Sequence, residues 1–143
     1  MKVNFIKNKA LEDGHLILQA NEKNETIDAI IYDLESNAFA IECSEENRKM
    51  IKPIHSFIRF MSSDKKVFGY TQDKEVIIKY RLYQLEELLP SQFVRISNTE
   101  IINIHAISNL ELTNTGIILI HFKNGEQTSS SRRYIKKIKE KLL

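Results

Sequence analysis

The stretch of sequence that decides the fold is FVRISNTEIINIHAISNLEL, residues 93–112. Its first four residues are mostly apolar and predict an extended strand. Ser97, Asn98 and Thr99 then bring three small hydrogen-bonding side chains to a turn, ahead of the apolar pair Ile101 and Ile102. Such side chains usually cap a turn, but an asparagine can also make two hydrogen bonds to an adenine edge in the DNA major groove. The residues alone leave both interpretations open.

Short strands separated by polar turns surround this stretch and predict a mainly β fold, α+β overall. Residues 101–107 are ambiguous between a helical turn and a strand, and residues 110–113 alternate like a strand. Asn124-Gly125 is the strongest short hairpin signal in the chain. Apolar residues at helical spacing predict helices at residues 82–89 and 132–142. The remaining predicted strands are residues 56–62, 66–71, 75–80, 117–123 and 126–130.

The first fifty residues predict a small β-β-α extension. Residues 2–7 and 15–19 have the pattern of strands, joined by a turn at Asp13-Gly14. Residues 24–35 place isoleucines and a leucine on one helical face, with Asn24 as the cap and Ser36-Asn37 as the end. A hairpin of residues 38–43 and 48–52 follows. The change of pattern near Lys52-Pro53 divides the chain into residues 1–50 and 51–143.

The composition is that of an ordinary globular protein, with 143 residues, 42% apolar and 28% charged. No apolar run approaches the roughly 20 residues of a membrane span, and the N-terminus lacks the apolar stretch of a secretion signal. Cys43 is the single cysteine, which excludes an internal disulfide and a cysteine zinc cluster. These features predict a cytoplasmic protein that does not bind membranes.

The net charge of +2 conceals a division of charge along the chain. Residues 1–50 contain six basic and ten acidic residues, whereas residues 51–143 contain fifteen basic and nine acidic ones. The basic part therefore carries net +6 and the acidic part net −4. Such asymmetry indicates an anionic partner for the basic part, or a lysine-rich helix that is simply solvated.

Catalysis has little support. The four histidines are scattered, the four glycines are isolated, and no cluster has the spacing of a metal site or a nucleophilic triad. The sequence therefore predicts a protein that is not an enzyme and has no cofactor and no metal.

The start of the last helix is unusual because Arg132 and Arg133 follow Ser131, a candidate N-cap. Cations in a first helical turn oppose the helix dipole, so stability alone disfavours them. Free backbone N–H groups, hydroxyls and two guanidiniums would instead bind a phosphate, and Lys136 extends this basic surface. The alternative is that acids of the first half neutralise the arginines. A second basic feature, Asp64-Lys65-Lys66, is either a hairpin tip for DNA or a solvated turn.

Together these pieces strongly resemble the LytTR family of bacterial DNA-binding domains, from about residue 51 to residue 143. The family pattern F-x-R-x-(small or His)-x-(Ser/Thr)-x-(aliphatic)-(aliphatic)-N is met by Phe93, Arg95, Ser97, Thr99, Ile101, Ile102 and Asn103. The K-(N/D)-G hairpin of the family is met by Lys123, Asn124 and Gly125. The closing pattern S-R-R-Y-x-K-x-(aliphatic)-K is met by Ser131, Arg132, Arg133, Tyr134, Lys136, Ile138 and Lys139.

This resemblance implies packed antiparallel β-sheets with short helices, which bind DNA through three loops in successive grooves rather than through a recognition helix. Carried over by position, Asn98 and Arg133 contact bases. Arg95 is either a phosphate contact or an internal partner for an acid. In the first loop, residues 63–66, the family often has His where this chain has lysines, so phosphate contact is the implied role. The implied phosphate contacts are Lys65, Lys66, Thr99, Ser131, Arg132 and Lys136.

Residues 1–50 resemble the extension of small stand-alone LytTR regulators that have no receiver domain. This extension is a candidate for dimerisation or partner binding, or its helix packs on the sheet of the same chain. The expected protein is a bacterial transcriptional regulator that binds promoter double-stranded DNA sequence-specifically as a homodimer. A regulatory protein is a further candidate partner. The alternative function is a β-rich protein-interaction module whose basic C-terminal face binds an acidic partner protein.

Overall fold

Two antiparallel β-sheets dominate the computed structural model, which describes residues 1–12, 15–35 and 40–142. The larger sheet contains β1 (Ala40–Glu45), β2 (Arg48–Pro53), β3 (Arg59–Ser63), β4 (Lys66–Tyr70), β5 (Glu75–Ile78), β6 (Phe93–Ser97) and β7 (Glu100–Asn103). Its strand order is β2-β1-β5-β4-β3-β7-β6. The smaller sheet contains β8 (Ile107–Leu112), β9 (Ile118–Phe122) and β10 (Gln127–Ser129), in the order β10-β9-β8.

Three α-helices and three short 3-10 helices complete the described chain. The α-helices are α1 (Glu25–Glu35), α2 (Leu82–Leu88) and α3 (Ile135–Leu142), and the 3-10 helices are Ile54–Ser56, Ile104–Ala106 and Arg132–Tyr134. The predicted mainly β class is confirmed. The predicted helix at residues 82–89 and the hairpin at Asn124-Gly125 are also found, and Gly125 has the positive φ of 90° that favours glycine there.

The end of the larger sheet that contains β6 and β7 is covered on both faces, which explains the apolar sequence of these two strands. Phe93 and Ile101 face a core cluster shared with α2, in which the rings of Phe57 and Phe60 lie 4.8 Å apart. Val94, Ile96 and Ile102 face a second cluster, shared with the smaller sheet and α3. Strands buried on both faces have nearly continuous apolar runs instead of strict alternation. This double burial holds the turn between β6 and β7 on a rigid support.

An ion cluster joins the two sheets. The Arg59 guanidinium lies 3.1 Å from Oε2 of Glu100 and 3.1 Å from Oε2 of Glu126. Thr128 of the smaller sheet donates its hydroxyl to Oε1 of Glu100 at 2.7 Å. Glu100 is only 4% exposed, so its charge depends on these partners. The members of this cluster lie 28 and 41 residues apart, so no local sequence pattern predicts it.

The buried side chain of Asn103 ends β7 and starts the next 3-10 helix. Its Nδ2 donates to the carbonyl of Phe57 at 2.9 Å, and its Oδ1 accepts from the backbone N–H of His105 at 3.0 Å. The ambiguous residues 101–107 are therefore neither a single helix nor a single strand. They form the end of a strand, a 3-10 turn and the start of β8.

The two strands predicted at residues 2–7 and 15–19 are wrong. Residues 1–12 and 15–24 contain no strand, and their large apolar side chains are exposed, with Phe5 87% and Leu16 67% accessible. An alternating pattern indicates which side chains share a face, but a strand also needs a neighbour to satisfy its N–H and C=O groups. These segments have no such neighbour within the described chain. The turn predicted at Asp13-Gly14 lies outside the described residues.

The predicted helix of the extension is present, and Oδ1 of Asn24 accepts from the N–H of Ile27 at 3.0 Å, as expected of a cap. None of its residues is buried. Its predicted end at Ser36-Asn37 lies outside the described residues. The predicted hairpin forms β1 and β2, and β1 also pairs with β5, so the boundary placed at residues 50 and 51 falls inside β2 of the larger sheet.

Candidate nucleic-acid interface

Loop 1, residues 63–66, is the tight turn between β3 and β4. Asp64 and Lys65 have φ values of 49° and 65°, the pair of left-handed conformations that a type I′ hairpin turn requires. Lys65 and Lys66 are both exposed, and neither makes an ion pair within the described residues. The turn therefore presents two cations whose charge is not neutralised by the protein.

Loop 2, residues 97–100, is the turn between β6 and β7, and the Arg95 side chain is hydrogen-bonded to its backbone. Nε of Arg95 donates to the carbonyl of Ser97 at 3.1 Å, and Nη2 donates to the carbonyl of Asn98 at 2.7 Å. Nη1 donates to Oε2 of Glu86 at 2.8 Å. Because its guanidinium is directed at protein acceptors and is 16% exposed, Arg95 shapes the loop. Asn98 and Thr99 are exposed at the tip.

Loop 3, residues 131–134, connects β10 to α3. The N–H of Ser131 donates to the carbonyl of Ile96 at 2.9 Å, which attaches this loop to β6. Arg132 and Arg133 belong to the 3-10 helix rather than to the first turn of α3, and both are exposed. Ser131 is the N-cap residue, as predicted, but it precedes the 3-10 helix and its side chain makes no capping hydrogen bond.

Hydrogen bonds bring the three loops to the same edge of the molecule. The N–H of Ser62, beside loop 1, donates to the carbonyl of Thr99 in loop 2 at 2.8 Å. The hydroxyl of Tyr134 in loop 3 donates to Oδ1 of Asn98 at 3.0 Å. Residues that lie more than 30 positions apart in sequence thus form one surface.

The cations of this surface differ in whether the protein neutralises them. Arg132 and Arg133 make no ion pair within the described residues, so acids of the first half do not neutralise them there. Arg132, Lys136 and Lys139 line a single shallow depression along α3. Lys137 instead lies 3.1 Å from Oε1 of Glu86. The positive charge available to a ligand therefore lies on loop 1, on loop 3 and on the adjacent face of α3.

Glu86 is the carboxylate that pairs with two of the cations near these loops. It accepts from both Arg95 and Lys137, and the hydrogen bond from Arg95 is the main cause of a pKa below its ordinary value of 4.5. Nothing in the local sequence of α2 predicts these partners, which lie 9 and 51 residues away from Glu86. The Tyr134 hydroxyl contact to Asn98 was missed for the same reason.

A family model described as "LytTr DNA-binding domain" matches residues 47–143. The chain belongs to the LytTR family of DNA-binding domains. Most of this chain's two-sheet unit falls within that match, and the three loops all do. The predicted family is thus confirmed, and with it the prediction of a DNA-binding protein.

Relatives of this LytTR chain are found along its whole length. It is 34% identical to an uncharacterized HTH-type transcriptional regulator of Staphylococcus aureus strain bovine RF122 / ET3-1, over 99% of this chain and 98% of the relative. A protein of the same description from Staphylococcus aureus strain NCTC 8325 / PS 47 is 33% identical with the same coverage. The similarity therefore includes the N-terminal extension.

A solved structure has the same fold as this LytTR chain. It is a LytTr DNA-binding domain from a Bacillus cereus protein described as a methyl-accepting/DNA response regulator. The TM-score is 0.69 at 22% identity, over 72% of this chain and 95% of that domain. The relatives are named HTH-type, yet in the described part of this chain strands separate each α-helix from the next. No helix among the described residues has the length and apolar character to span a membrane.

Proposed function

We propose that this protein regulates transcription by binding promoter DNA sequence-specifically through loops 1, 2 and 3. The observation that carries the proposal is the convergence of these loops on one edge with exposed cations. Phosphate contacts from several loops fix the position of a protein on the duplex, while fewer side chains read base edges. The name that the Staphylococcus aureus relatives carry supports a role in transcription. A cytoplasmic location follows from this role, because a bacterial chromosome is cytoplasmic.

The residues divide into three proposed roles. Asn98 and Arg133, which end in multiple donors at the exposed edge, contact bases. Arg95 positions loop 2, because its hydrogen bonds to Ser97 and Asn98 leave the guanidinium directed inward. The proposed phosphate contacts are Lys65, Lys66, Thr99, Ser131, Arg132 and Lys136.

Selection of bound duplexes from a random pool, using the full chain, tests this function. A regulator enriches one sequence motif, and a selected duplex then competes for the protein much better than a scrambled duplex of equal length and composition. The salt dependence of binding does not distinguish a DNA-binding regulator from a protein-interaction module, because any basic surface that binds an anion shows such dependence. Equal competition by selected and scrambled duplexes would contradict the proposal and favour the protein-interaction module.

We infer further that residues 1–35 associate with a second copy of the chain. Large apolar side chains are exposed on the described part of this segment, among them Val3, Phe5, Ile17 and Leu18. A run of exposed large apolar side chains is typical of a surface that associates with another protein. The segment has seven acidic and four basic residues, whereas the edge strand β2 carries Arg48, Lys49 and Lys52 beside the 73% exposed Ile51.

The second copy is favoured as the partner because both halves of the contact are present in this chain. β2 is the terminal strand of the larger sheet and pairs only with β1 among the described strands, so its outer N–H and C=O groups are open. The alternating segment at residues 2–7 can add to such an edge as a further strand, and its apolar positions then meet Ile51. A dimer built in this way places two DNA-binding domains side by side for repeated sites.

A further inference from the structure

The phenol of Tyr134 lies where loop 3 meets loop 2. Its hydroxyl donates to Oδ1 of Asn98 at 3.0 Å. The guanidinium carbons of Arg95 and Arg133 each lie 6.0 Å from the centre of its ring. Tyr134 thus contacts the proposed base-reading asparagine, the arginine that shapes its loop and the second proposed base-reading side chain.

The hydrogen bond to Tyr134 determines which end of the Asn98 carboxamide faces outward. An asparagine presents an acceptor at Oδ1 and two donors at Nδ2, and rotation of the carboxamide exchanges the two ends. A phenol has one hydrogen, and in this contact it is donated to Oδ1. The exposed Asn98 therefore presents Nδ2, with its two N–H donors, away from Tyr134.

A side chain that presents donors selects a base edge that presents acceptors. In the major groove, guanine offers two acceptors, N7 and O6, whereas adenine offers one acceptor and one donor. Bidentate reading of adenine requires the asparagine to direct both its oxygen and its amino group at the base, whereas the oxygen of Asn98 is directed at the Tyr134 phenol and only Nδ2 faces outward. This geometry disfavours the adenine edge and favours guanine.

We propose that Tyr134 is a specificity-positioning residue, which holds the Asn98 carboxamide so that it reads an acceptor edge such as that of guanine. The proposal rests on the proposed function, in that Asn98 must contact bases. It adds a residue that touches no DNA itself and fixes the base preference through another side chain. Tyr134 was predicted as the tyrosine of the closing family pattern and on the apolar face of the last helix, and its ring does pack against the second core cluster.

The Tyr134→Phe variant of the full chain tests the inference, because it removes the hydroxyl and keeps the packed ring. Sites selected from a random pool by the parent should show a guanine preference at the position that Asn98→Ala makes degenerate. In Tyr134→Phe that position should accept adenine as well. Affinity for the parent's selected site should fall about 5- to 150-fold, the loss expected for one good base contact. Affinity for a scrambled duplex should stay within about twofold.

Tyr83→Phe is the matched control, because Tyr83 is 64% exposed on α2 and has no role in the proposed interface. It should leave both affinities and the selected motif unchanged. The melting temperature of both phenylalanine variants should equal that of the parent. The double variant Asn98→Ala/Tyr134→Phe should lose no more affinity than Asn98→Ala alone, because Tyr134 acts only through Asn98.

Three results would overturn the inference while leaving the proposed function intact. In the first, Tyr134→Phe selects the same motif as the parent. In the second, the affinity loss of Asn98→Ala/Tyr134→Phe equals the sum of the losses of the two single variants. The third is an equal loss on selected and scrambled duplexes, which would assign Tyr134 a structural role only. A parent protein that selects no motif at all would overturn the proposed function and this inference together.

Discussion

Arg133 and Lys136 lie three residues apart on one basic surface, yet their chemistry suits different tasks. The planar guanidinium of Arg133 can make two parallel hydrogen bonds to one base edge, whereas the ammonium group of Lys136 is a compact charge. Both side chains are exposed, and Arg133 makes no ion pair within the described residues. The two positions therefore suit the proposed division between base reading and phosphate attraction.

Arg133→Ala should weaken binding to the selected duplex by about 1–3 kcal/mol and relax discrimination at one base position, because a bidentate base contact is lost. Gel-shift titration of selected and singly substituted duplexes measures both effects. Unchanged affinity would remove Arg133 from the base-reading role.

Lys136→Ala is the comparison for that experiment. It should weaken selected and scrambled duplexes alike and reduce the slope of log affinity against log salt by about one unit. Lys79→Ala, at a lysine paired with Glu42, should change neither quantity. If Lys136→Ala altered the selected motif, the division of roles between the two cations would be wrong.

Among the elements, α2 supports loop 2 through the contact between Glu86 and Arg95, and α3 joins through Lys137. The pKa of Glu86 is lower in the folded protein than its ordinary value. The ionised carboxylate therefore stabilises the fold, and this stabilisation is complete at pH values above the ordinary pKa. This contribution is lost as pH falls through the lowered folded pKa. Glu86→Gln, which carries no titrating carboxyl, lacks that dependence.

The free energy of unfolding of the parent should therefore exceed that of Glu86→Gln at pH 6, and the difference should shrink as pH falls to about 3. Urea denaturation of both proteins over this range provides the measurement. Glu87→Gln, at the neighbouring acid, serves as the control and should track the parent. A difference between the parent and Glu86→Gln that grew towards acid would reverse the assigned sign.

The sequence predicted elements well where local signals suffice. Asn124-Gly125 specified a hairpin by its turn conformation, and Asn24 specified a helix start by its side chain. Residues 2–7 failed because strand formation depends on a partner edge that a periodic pattern does not report. The division of residues 132–142 into a 3-10 turn and a helix was likewise not predicted.

At the candidate site, too, local sequence patterns predicted residues but not the contacts between distant ones. Asn98 was identified because it lies between Ser97 and Thr99 of one family pattern, and Arg133 because it matches the second arginine of another. The hydrogen bond from Tyr134 to Asn98 spans 36 residues, and the ion pair between Arg59 and Glu100 spans 41. Such contacts depend on how the strands are ordered in space, and that order cannot be derived from local spacing.

For the whole molecule, the Arg59–Glu100–Thr128 cluster is the polar connection between the two sheets. Without Glu100, Arg59 keeps only the half-exposed Glu126 as an ion-pair partner, and the Thr128 hydroxyl loses its acceptor, so polar groups are left poorly paired in a buried place. Glu100→Ala should therefore reduce the free energy of unfolding by about 3–5 kcal/mol, as measured by chemical denaturation. The control Glu111→Ala, at a half-exposed acid on β8, should cost far less. Equal costs would show that the cluster contributes nothing beyond a surface contact.

The proposed dimer is also a property of the whole molecule. Val3→Asp/Phe5→Asp should convert a dimer to a monomer in sedimentation equilibrium, because it places two charges on the apolar positions of the alternating segment. Asn4→Asp/Asn8→Asp adds the same charge at polar positions and should remain dimeric. A parent that is monomeric at micromolar concentration would contradict the proposed association.

The double burial of β6 and β7 has a consequence for how this protein can diversify. All four residues of β7 are buried, while Asn98 and Thr99, just ahead of it, are exposed. Under the proposed function, stability and operator choice therefore depend on different residues only a few positions apart. After gene duplication, a copy can exchange the tip residues and acquire a new set of target promoters while its core stays unchanged. Tyr134 links the two sets of residues, so it constrains which replacements for Asn98 retain a defined orientation.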